Sequence, residues 1–262
     1  MAGSPQIHRR FEDKTVLVTG AGTGFGSALA YRAGQEGARV GVHYNRSRDG
    51  AEAVAERVRS LGGEASVFQA DISSWDAVRA MADQVGSEFG RLDVLINNVG
   101  DVATEQMSWR DVTQELIDRV IDVDIKGTMY MLHEFGSRML DHGGGAIVNV
   151  GSTVIVRGSP RAPQYAAGKY GLLGLTKSYA NAFAPTVRVN TFAPGFMETE
   201  ATLARDDWNT GRREKLIAAT PAGRIPPPED LAGTALFLAS DDAAHMYGAF
   251  MIADGGYSML AG

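Results

Sequence analysis

The chain has 262 residues, with 25 Lys+Arg against 31 Asp+Glu for a formal charge of −6, 44% hydrophobic residues and no cysteine. The apolar content supplies a core and excludes wholesale disorder, the lack of cysteine excludes disulfides, thiolate zinc sites and cysteine nucleophiles, and the acidic balance speaks against nucleic acid as a partner. No apolar run reaches the roughly 18 residues that span a bilayer, and residues 1–10 (MAGSPQIHRR) lack the apolar segment of a secretory signal, so a cytoplasmic protein with no membrane partner is expected.

Residues 14–19 (KTVLVT) read as a buried strand and 27–36 as the body of the helix after it. A second strand is predicted over 38–43, then an amphipathic helix over 50–61 with Val54, Val58 and Leu61 on its apolar face. A strand over 64–70, a helix over 75–89 and a strand over 92–97 follow. One long helix is expected over 113–140, then a strand over 146–151, a helix over 163–183 and a strand over 187–192. The last third adds helices near 207–219 and 228–239 and a final strand near 249–253.

Strands that are apolar throughout, alternating with helices, mean βαβ units and a parallel sheet. Right-handed crossovers leave few topologies, and the most favoured is an α/β, Rossmann-type doubly wound parallel sheet of about seven strands with helices on both faces. A length near 250 residues is ordinary for one α/β domain, so residues 1–262 are read as a single dinucleotide-binding and catalytic domain. Residues 197–228 break the regularity with mixed charge and the turn-rich Arg224-Ile225-Pro226-Pro227-Pro228. That segment is either a mobile substrate lid or a solvated surface excursion.

Between the first strand and its helix lies TGAGTGFG, residues 19–26. A helix N-terminus offers free N–H groups and a positive dipole end to a pyrophosphate, and glycines let the backbone approach it closely. Gly20, Gly22, Thr23 and Phe25 are therefore candidate cofactor contacts. An acid about twenty residues further on would bond the ribose of NAD. Here the second strand runs into Tyr44-Asn45-Arg46-Ser47-Arg48, with no acid before Asp49. Arg46 and Ser47 suit the 2′-phosphate of NADP(H), which is favoured over NAD(H); the alternative is a solvated basic turn.

Tyr165 and Lys169 stand four residues apart on a predicted helix, hence on one face. A cation beside a phenol favours the phenolate, which equips that side chain to give and take a proton. Ser152 falls just past a strand, at the sheet edge where doubly wound folds bind ligands, and its hydroxyl can hold the same substrate oxygen. The five histidines show no ligand spacing and no metal site is predicted; Asp206-Asp207 and Asp241-Asp242 read as helix-start and loop carboxylates.

Taken together, TGAGTGFG at 19–26, Asp71, NNVG at 97–100, Ser152, YAAGK at 165–169, Pro194-Gly195 and the closing Asp254-Gly255-Gly256 resemble, in order and spacing, the short-chain dehydrogenase/reductase family. The likeness runs from about residue 11 to 258 and is to the branch containing 3-oxoacyl-[acyl-carrier-protein] reductases and bacterial sugar, steroid and alcohol dehydrogenases. It implies Tyr165 as general acid/base, Ser152 as the group orienting the substrate oxygen, and Lys169 as a ligand of the nicotinamide ribose that favours the phenolate. By the same likeness Asp71 and Ile72 would meet the adenine, while Asn98, Val99 and Gly100 would line the cofactor and Asn97 would brace the sheet. Pro194, Gly195, Met197 and Thr199 would surround the carboxamide.

Three positions depart from the family's habit: Asp124 stands where Asn is usual in a proton relay, Val99 where Ala is common, and Thr23 where NADP-preferring relatives often carry Arg. An ionised carboxylate accepts but does not donate, so Asp124 would rewire the relay or pair with Lys169. The resemblance also implies a homo-oligomer, commonly a tetramer, pairing the helices that hold Leu116, Val120, Val123, Leu172, Leu173 and Leu175, residues equally compatible with a core.

The expected activity is hydride transfer between a nicotinamide cofactor and a ketone or secondary alcohol of a small molecule. A 3-oxoacyl-[acyl-carrier-protein] reductase and a non-catalytic dinucleotide sensor are the alternatives. Arg157 and Arg161, between Ser152 and Tyr165, are candidate contacts for an anionic substrate, as are the lid cations Arg205, Arg212, Arg213 and Lys215; either set can instead be solvated.

Overall fold

Strands that are apolar on both faces need cover on both sides, and the chain provides it. The computed structural model describes residues 9–100 and 108–260. In chain order they form β1 (Thr15–Val18), α1 (Gly24–Gln35), β2 (Arg39–Tyr44), α2 (Arg48–Arg59), β3 (Ala65–Gln69), α3 (Trp75–Phe89) and β4 (Val94–Asn97). Then come α4 (Gln114–Val120), α5 (Thr128–Asp141), β5 (Gly145–Val150), α6 (Val154–Arg157), α7 (Pro163–Phe183) and β6 (Val187–Pro194). The chain closes with α8 (Glu200–Leu203), α9 (Arg213–Ala218), α10 (Glu229–Ala239) and β7 (Phe250–Ala253).

All seven strands are parallel, in the order β3-β2-β1-β4-β5-β6-β7. Because side chains alternate across a strand, Val16 and Val18 join a core with α1, α2 and α10 on one face, while Leu17 joins another with α3, α5 and α7. The winding reverses between β1 and β4, which opens a crevice at their carboxyl ends. Arg188 on β6, almost fully buried, locks the end of α10 by donating to the carbonyls of Leu238, Ala239 and Ser240 at 2.8, 3.1 and 2.8 Å. A cation there also complements the negative end of the helix dipole. Among the described residues no helix is long and apolar enough to cross a membrane.

Several expectations need correction. The helix whose body is expected over 27–36 begins at Gly24 and ends at Gln35, so two loop glycines belong to its first turn. Leu61 lies beyond the end of α2 and is 46% exposed, not on a buried face. The helix expected over 113–140 is divided: α4 and α5 are joined by a π-helical turn, Ile121–Gly127. The turn lies at the crossing with α7, where Gly168 and Gly171 make room for the side chains of Val120 and Ile125. A Cβ on Gly168 would lie 2.8 Å from Val120 Cγ1, and one on Gly171 only 2.2 Å from Ile125 Cδ1. This wide turn drives Asp124 into the interior. The short helices α6 and α8 were not expected from the periodicity, being barely one turn long.

Residues 197–228 lie largely at the surface, yet they are not without packing of their own. Trp208, Leu216 and Ile225 form a small core of their own with Phe196, Ile217 and Tyr257 packed around it.

Candidate active site

At the end of β1 the glycine loop is held from two sides. Thr19 Oγ1 accepts from the backbone N–H groups of Asn98 (2.9 Å) and Val99 (3.1 Å), and the Asn98 amide donates back to the Thr19 and Gly20 carbonyls at 3.0 and 3.3 Å. On the other side Gly20 N–H donates to His43 Nδ1 at 3.1 Å, which leaves Nε2–H to donate to the Ala70 carbonyl at 3.1 Å. Gly26 has no room for a side chain, since a Cβ would sit 2.2 Å from the Gly20 carbonyl oxygen. The first turn of α1 carries no acid, and Thr23 before it makes no side-chain cap. Its N–H groups therefore offer an anion-binding end that fits a dinucleotide pyrophosphate. The Phe25 ring is buried and stacks on Phe192 at 5.9 Å, which leaves its backbone as the part that faces the loop.

His43 carries a role that the sequence did not reveal, because a histidine inside an apolar strand looks like any other buried residue. Burial pushes its imidazole down to about 4 from an ordinary 6.5. Between those values the unfolded chain takes up a proton that the fold refuses. Stability is therefore complete above about pH 6.5 and falls as the pH drops through this window, by about 3 kcal/mol at its lower end. His43→Gln is expected to flatten that part of the profile, read from urea unfolding between pH 7 and 4; an unchanged slope would discharge His43 from the role.

Arg46 and Ser47 are exposed just beyond β2. Asp71, past β3, accepts from Ser73 N–H at 3.0 Å and from its hydroxyl at 2.7 Å. The Ser73 hydroxyl bond is the main reason that the Asp71 carboxyl stays below the usual carboxylate range, with Asn45 and the Arg46 charge adding to it. Ile72 is buried against Gly127 at the end of the π-helical turn.

The chemical end gathers at β5 and α7. Ser152 follows β5, half-buried, and its Oγ accepts from Val154 N–H at 3.3 Å. Tyr165 stands in the first turn of α7, half-buried, and Lys169 one turn later is 3% exposed. The Lys169 ammonium donates to the Val150 carbonyl at 3.2 Å, lies 3.0 Å from Asp124 Oδ1, and is 5.8 Å from the centre of the Tyr165 ring. Asp124 is wholly buried. Gly100 lies over this pair, leaving a Cβ only 2.5 Å from Lys169 Nζ. Residues 98–100 thus join the two halves of the site, bonded to Thr19 at one end and touching Lys169 at the other.

Beneath them runs a buried polar chain. Asn97 Nδ2 donates to Asn149 Oδ1 (2.8 Å), Asn149 Nδ2 to Thr176 Oγ1 (2.9 Å), and the Thr176 and Thr191 hydroxyls are hydrogen-bonded to each other at 2.8 Å. It ties β4, β5, α7 and β6 together and gives Asn97 its bracing contact. Asn149, Thr176 and Thr191 carried no signal in the sequence, being single polar residues within apolar runs.

On the far side, Pro194 ends β6, Gly195 N–H donates to the Ala253 carbonyl at 3.0 Å, and Met197 packs on the core. Thr199 caps α8, accepting from Thr202 N–H at 3.1 Å. A separate concavity of about 700 Å³, bounded by Arg9, Asp13, Gly37 and Leu61, lies at the opposite edge of the sheet and holds none of these groups.

The family model described as enoyl-(acyl carrier protein) reductase matches residues 20–258. The chain is 38% identical over 247 residues to 3-oxoacyl-[acyl-carrier-protein] reductase FabG of Staphylococcus aureus, covering 94% of this chain and 98% of that protein. To D-threitol dehydrogenase of Mycolicibacterium smegmatis it is 36% identical, covering 95% of each. A crystal structure of a short-chain type dehydrogenase/reductase from Mycobacterium marinum, 31% identical, superimposes with a TM-score of 0.86 over 94% of this chain and 96% of that one. The chain belongs to the short-chain dehydrogenase/reductase family and is an NAD(P)-dependent oxidoreductase that works between a CH–OH and a C=O group.

Proposed function

We propose that the protein interconverts a ketone and a secondary alcohol of a small molecule, with NADP(H) preferred over NAD(H). The bound nicotinamide supplies or removes the hydride. Tyr165 gives a proton to the carbonyl oxygen during reduction and takes it back during oxidation. Ser152 donates a hydrogen bond to the same oxygen, and Lys169 holds the ribose side of the cofactor while its charge acts on Tyr165. Asp124 orients Lys169 through the buried ion pair. The observation that carries this reading is the convergence of Ser152, Tyr165 and Lys169 at the carboxyl end of β5, joined by residues 98–100 to the glycine loop.

Gly20, Gly22, Thr23 and the Phe25 backbone would hold the pyrophosphate, Asp71 and Ile72 the adenine, and Asn98, Val99 and Gly100 the middle of the cofactor. Pro194, Gly195, Met197 and Thr199 would close around the carboxamide. Support for NADP(H) comes from Arg46, exposed at the end of β2, and from the lack of an acid before Asp49. Arg46→Ala is expected to lower the preference for NADPH over NADH by about tenfold or more, as loss of a charge-assisted bond implies. Initial rates with each cofactor and a ketone panel, read by reduced-nicotinamide absorbance, check it; an unaltered ratio would mark Arg46 as a solvated turn residue.

A second reading, reduction of a carrier-bound 3-oxoacyl thioester, is favoured by the Staphylococcus aureus relative. An acidic carrier would need basic residues near the site, and the segment 170–184 supplies only Lys177, so a free small molecule is preferred. We also propose a homotetramer in the cytoplasm. Val120 and Leu172 are core residues, but Ile117, Ile121, Met129 and Tyr170 on the same helices expose 42, 38, 40 and 51% of their surface, apolar area that a second copy would cover.

A further inference from the structure

Of the polar groups that the proposed reaction leaves without a task, the arginines of the 197–228 segment gather on a carboxylate of the protein itself. Arg205 and Arg212 bond Asp207, and Arg161 lies 3.8 Å from it. His43 is placed differently, between the two segments that would receive the ends of a dinucleotide's ADP half.

It takes up two consecutive N–H groups of the glycine loop. Gly20 N–H donates to His43 Nδ1 at 3.1 Å, and Ala21 N–H donates to the His43 backbone carbonyl at 2.8 Å. On the other side of the ring, Nε2–H donates to the Ala70 carbonyl at 3.1 Å, one residue before Asp71. Burial holds the imidazole down to about 4, with the Ala70 bond and the Asp71 charge pulling the other way. Near neutral pH the ring is therefore neutral, and one nitrogen accepts while the other donates. A single side chain standing in β2 thus ties the loop after β1 to the end of β3. Gly22, two residues further along the loop, leans on the start of α2, where a Cβ would lie 2.9 Å from the Ser47 carbonyl oxygen. The loop is held by β2 and α2 together and has little freedom left.

We propose that His43 is a positioning residue for the cofactor: it fixes the glycine loop, which takes the pyrophosphate, relative to the Ala70–Asp71 segment, which takes the adenine, so that one dinucleotide meets both without rearranging the protein. This rests on the assignment of those two segments to the cofactor. Being 1% exposed, His43 acts through the backbone of its partners rather than by touching the dinucleotide. Pyrophosphate and adenine are common to NADPH and NADH. His43 therefore governs the affinity for either, whereas the choice between them stays with Arg46.

Three variants divide the two side-chain bonds. In His43→Asn the amide oxygen falls where Nδ1 stood and keeps the Gly20 bond. In His43→Gln the amide nitrogen falls where Nε2 stood and keeps the Ala70 bond, and His43→Leu keeps neither. Calorimetric titration with NADPH and with NADH near neutral pH, beside urea unfolding of the same samples, reads affinity apart from stability. His43→Leu is expected to weaken both dinucleotides by about tenfold or more, with Asn and Gln between it and the parent protein. In steady-state assays the loss should fall on the KM for the dinucleotide rather than on kcat, because Ser152, Tyr165 and Lys169 are untouched. A merely structural His43 would lower the urea midpoint and leave both affinities at their parent values, which overturns the proposal. A loss confined to kcat, or to NADPH alone, overturns it as well. Should His43→Leu not fold, Asn and Gln carry the test, each expected to bind about threefold or more weaker than the parent; parent-like affinity in both overturns it. If the parent protein binds neither dinucleotide, the cofactor assignment falls and this proposal with it. If the parent binds and the variants match it, the proposal falls alone.

Discussion

Replacing Tyr165 with Phe is expected to lower kcat by about a thousandfold or more, while dinucleotide binding persists. The change removes one oxygen and nothing else. The ring stays in the first turn of α7, and Lys169 keeps its contacts with Val150 and Asp124, because neither involves the phenol oxygen. Ser152 alone can hydrogen-bond a carbonyl oxygen, but its hydroxyl is a poor acid. What is lost is the proton that must reach the oxygen as the hydride reaches carbon. Single-turnover rates and fluorescence titration with NADPH separate the two effects, and near-normal rates in the variant would remove Tyr165 from proton transfer.

Lys169→Met should damage both activity and stability, and for different reasons. Asp124 is wholly buried and 3.0 Å from the ammonium. Without that partner its charge is left in the interior, and breaking a buried pair in this way costs about 3–5 kcal/mol. Adding Asp124→Asn removes the stranded charge, so the double variant should regain most of the lost stability. Turnover should stay low, since nothing then holds the ribose or favours the phenolate. The four corners of this cycle, measured by urea unfolding and by kcat, give a coupling energy that additive effects would reduce to zero. Asp124→Asn alone, nearly isosteric, should retain activity and change its pH profile, which a purely structural Asp124 would leave in place.

These two experiments probe parts of the site that were unequally visible in the amino-acid order. Tyr165 and Lys169 announce themselves because a spacing of four on a helix is a local property. The glycine run is legible for the same reason, lying where β1 turns into α1. Asp124 stands 45 positions from Lys169, and its approach depends on the π-helical turn at Ile121–Gly127. The apolar periodicity of that stretch continues as though the helix were unbroken. That turn lies against the glycine face of α7, a contact that no local pattern records.

His43 and the arginines repeat the lesson. His43 sits in a strand whose neighbours are apolar, and its two hydrogen bonds run to Gly20 and Ala70, on other segments of the chain. Arg157 and Arg161 are four residues apart and look interchangeable. Arg157 donates to the Tyr257 carbonyl and Arg161 lies 3.8 Å from Asp207, a sorting made by the positions of residues 207 and 257.

Strand–helix alternation, seven apolar runs and the order of the motifs were enough to determine the doubly wound parallel sheet, the glycine loop between β1 and α1 and the placing of Tyr165 and Lys169 one turn apart on α7. Each is set by periodicity and short-range spacing, which survive in one dimension. Only the tertiary structure decided which charge pairs with Lys169, which histidine pins the glycine loop, which arginines gather on Asp207, and that residues 197–228 carry a core of their own. The reason is physical: a buried charge or hydrogen bond takes its partner from whatever the fold brings within about 3 Å, and that partner can stand anywhere along the chain.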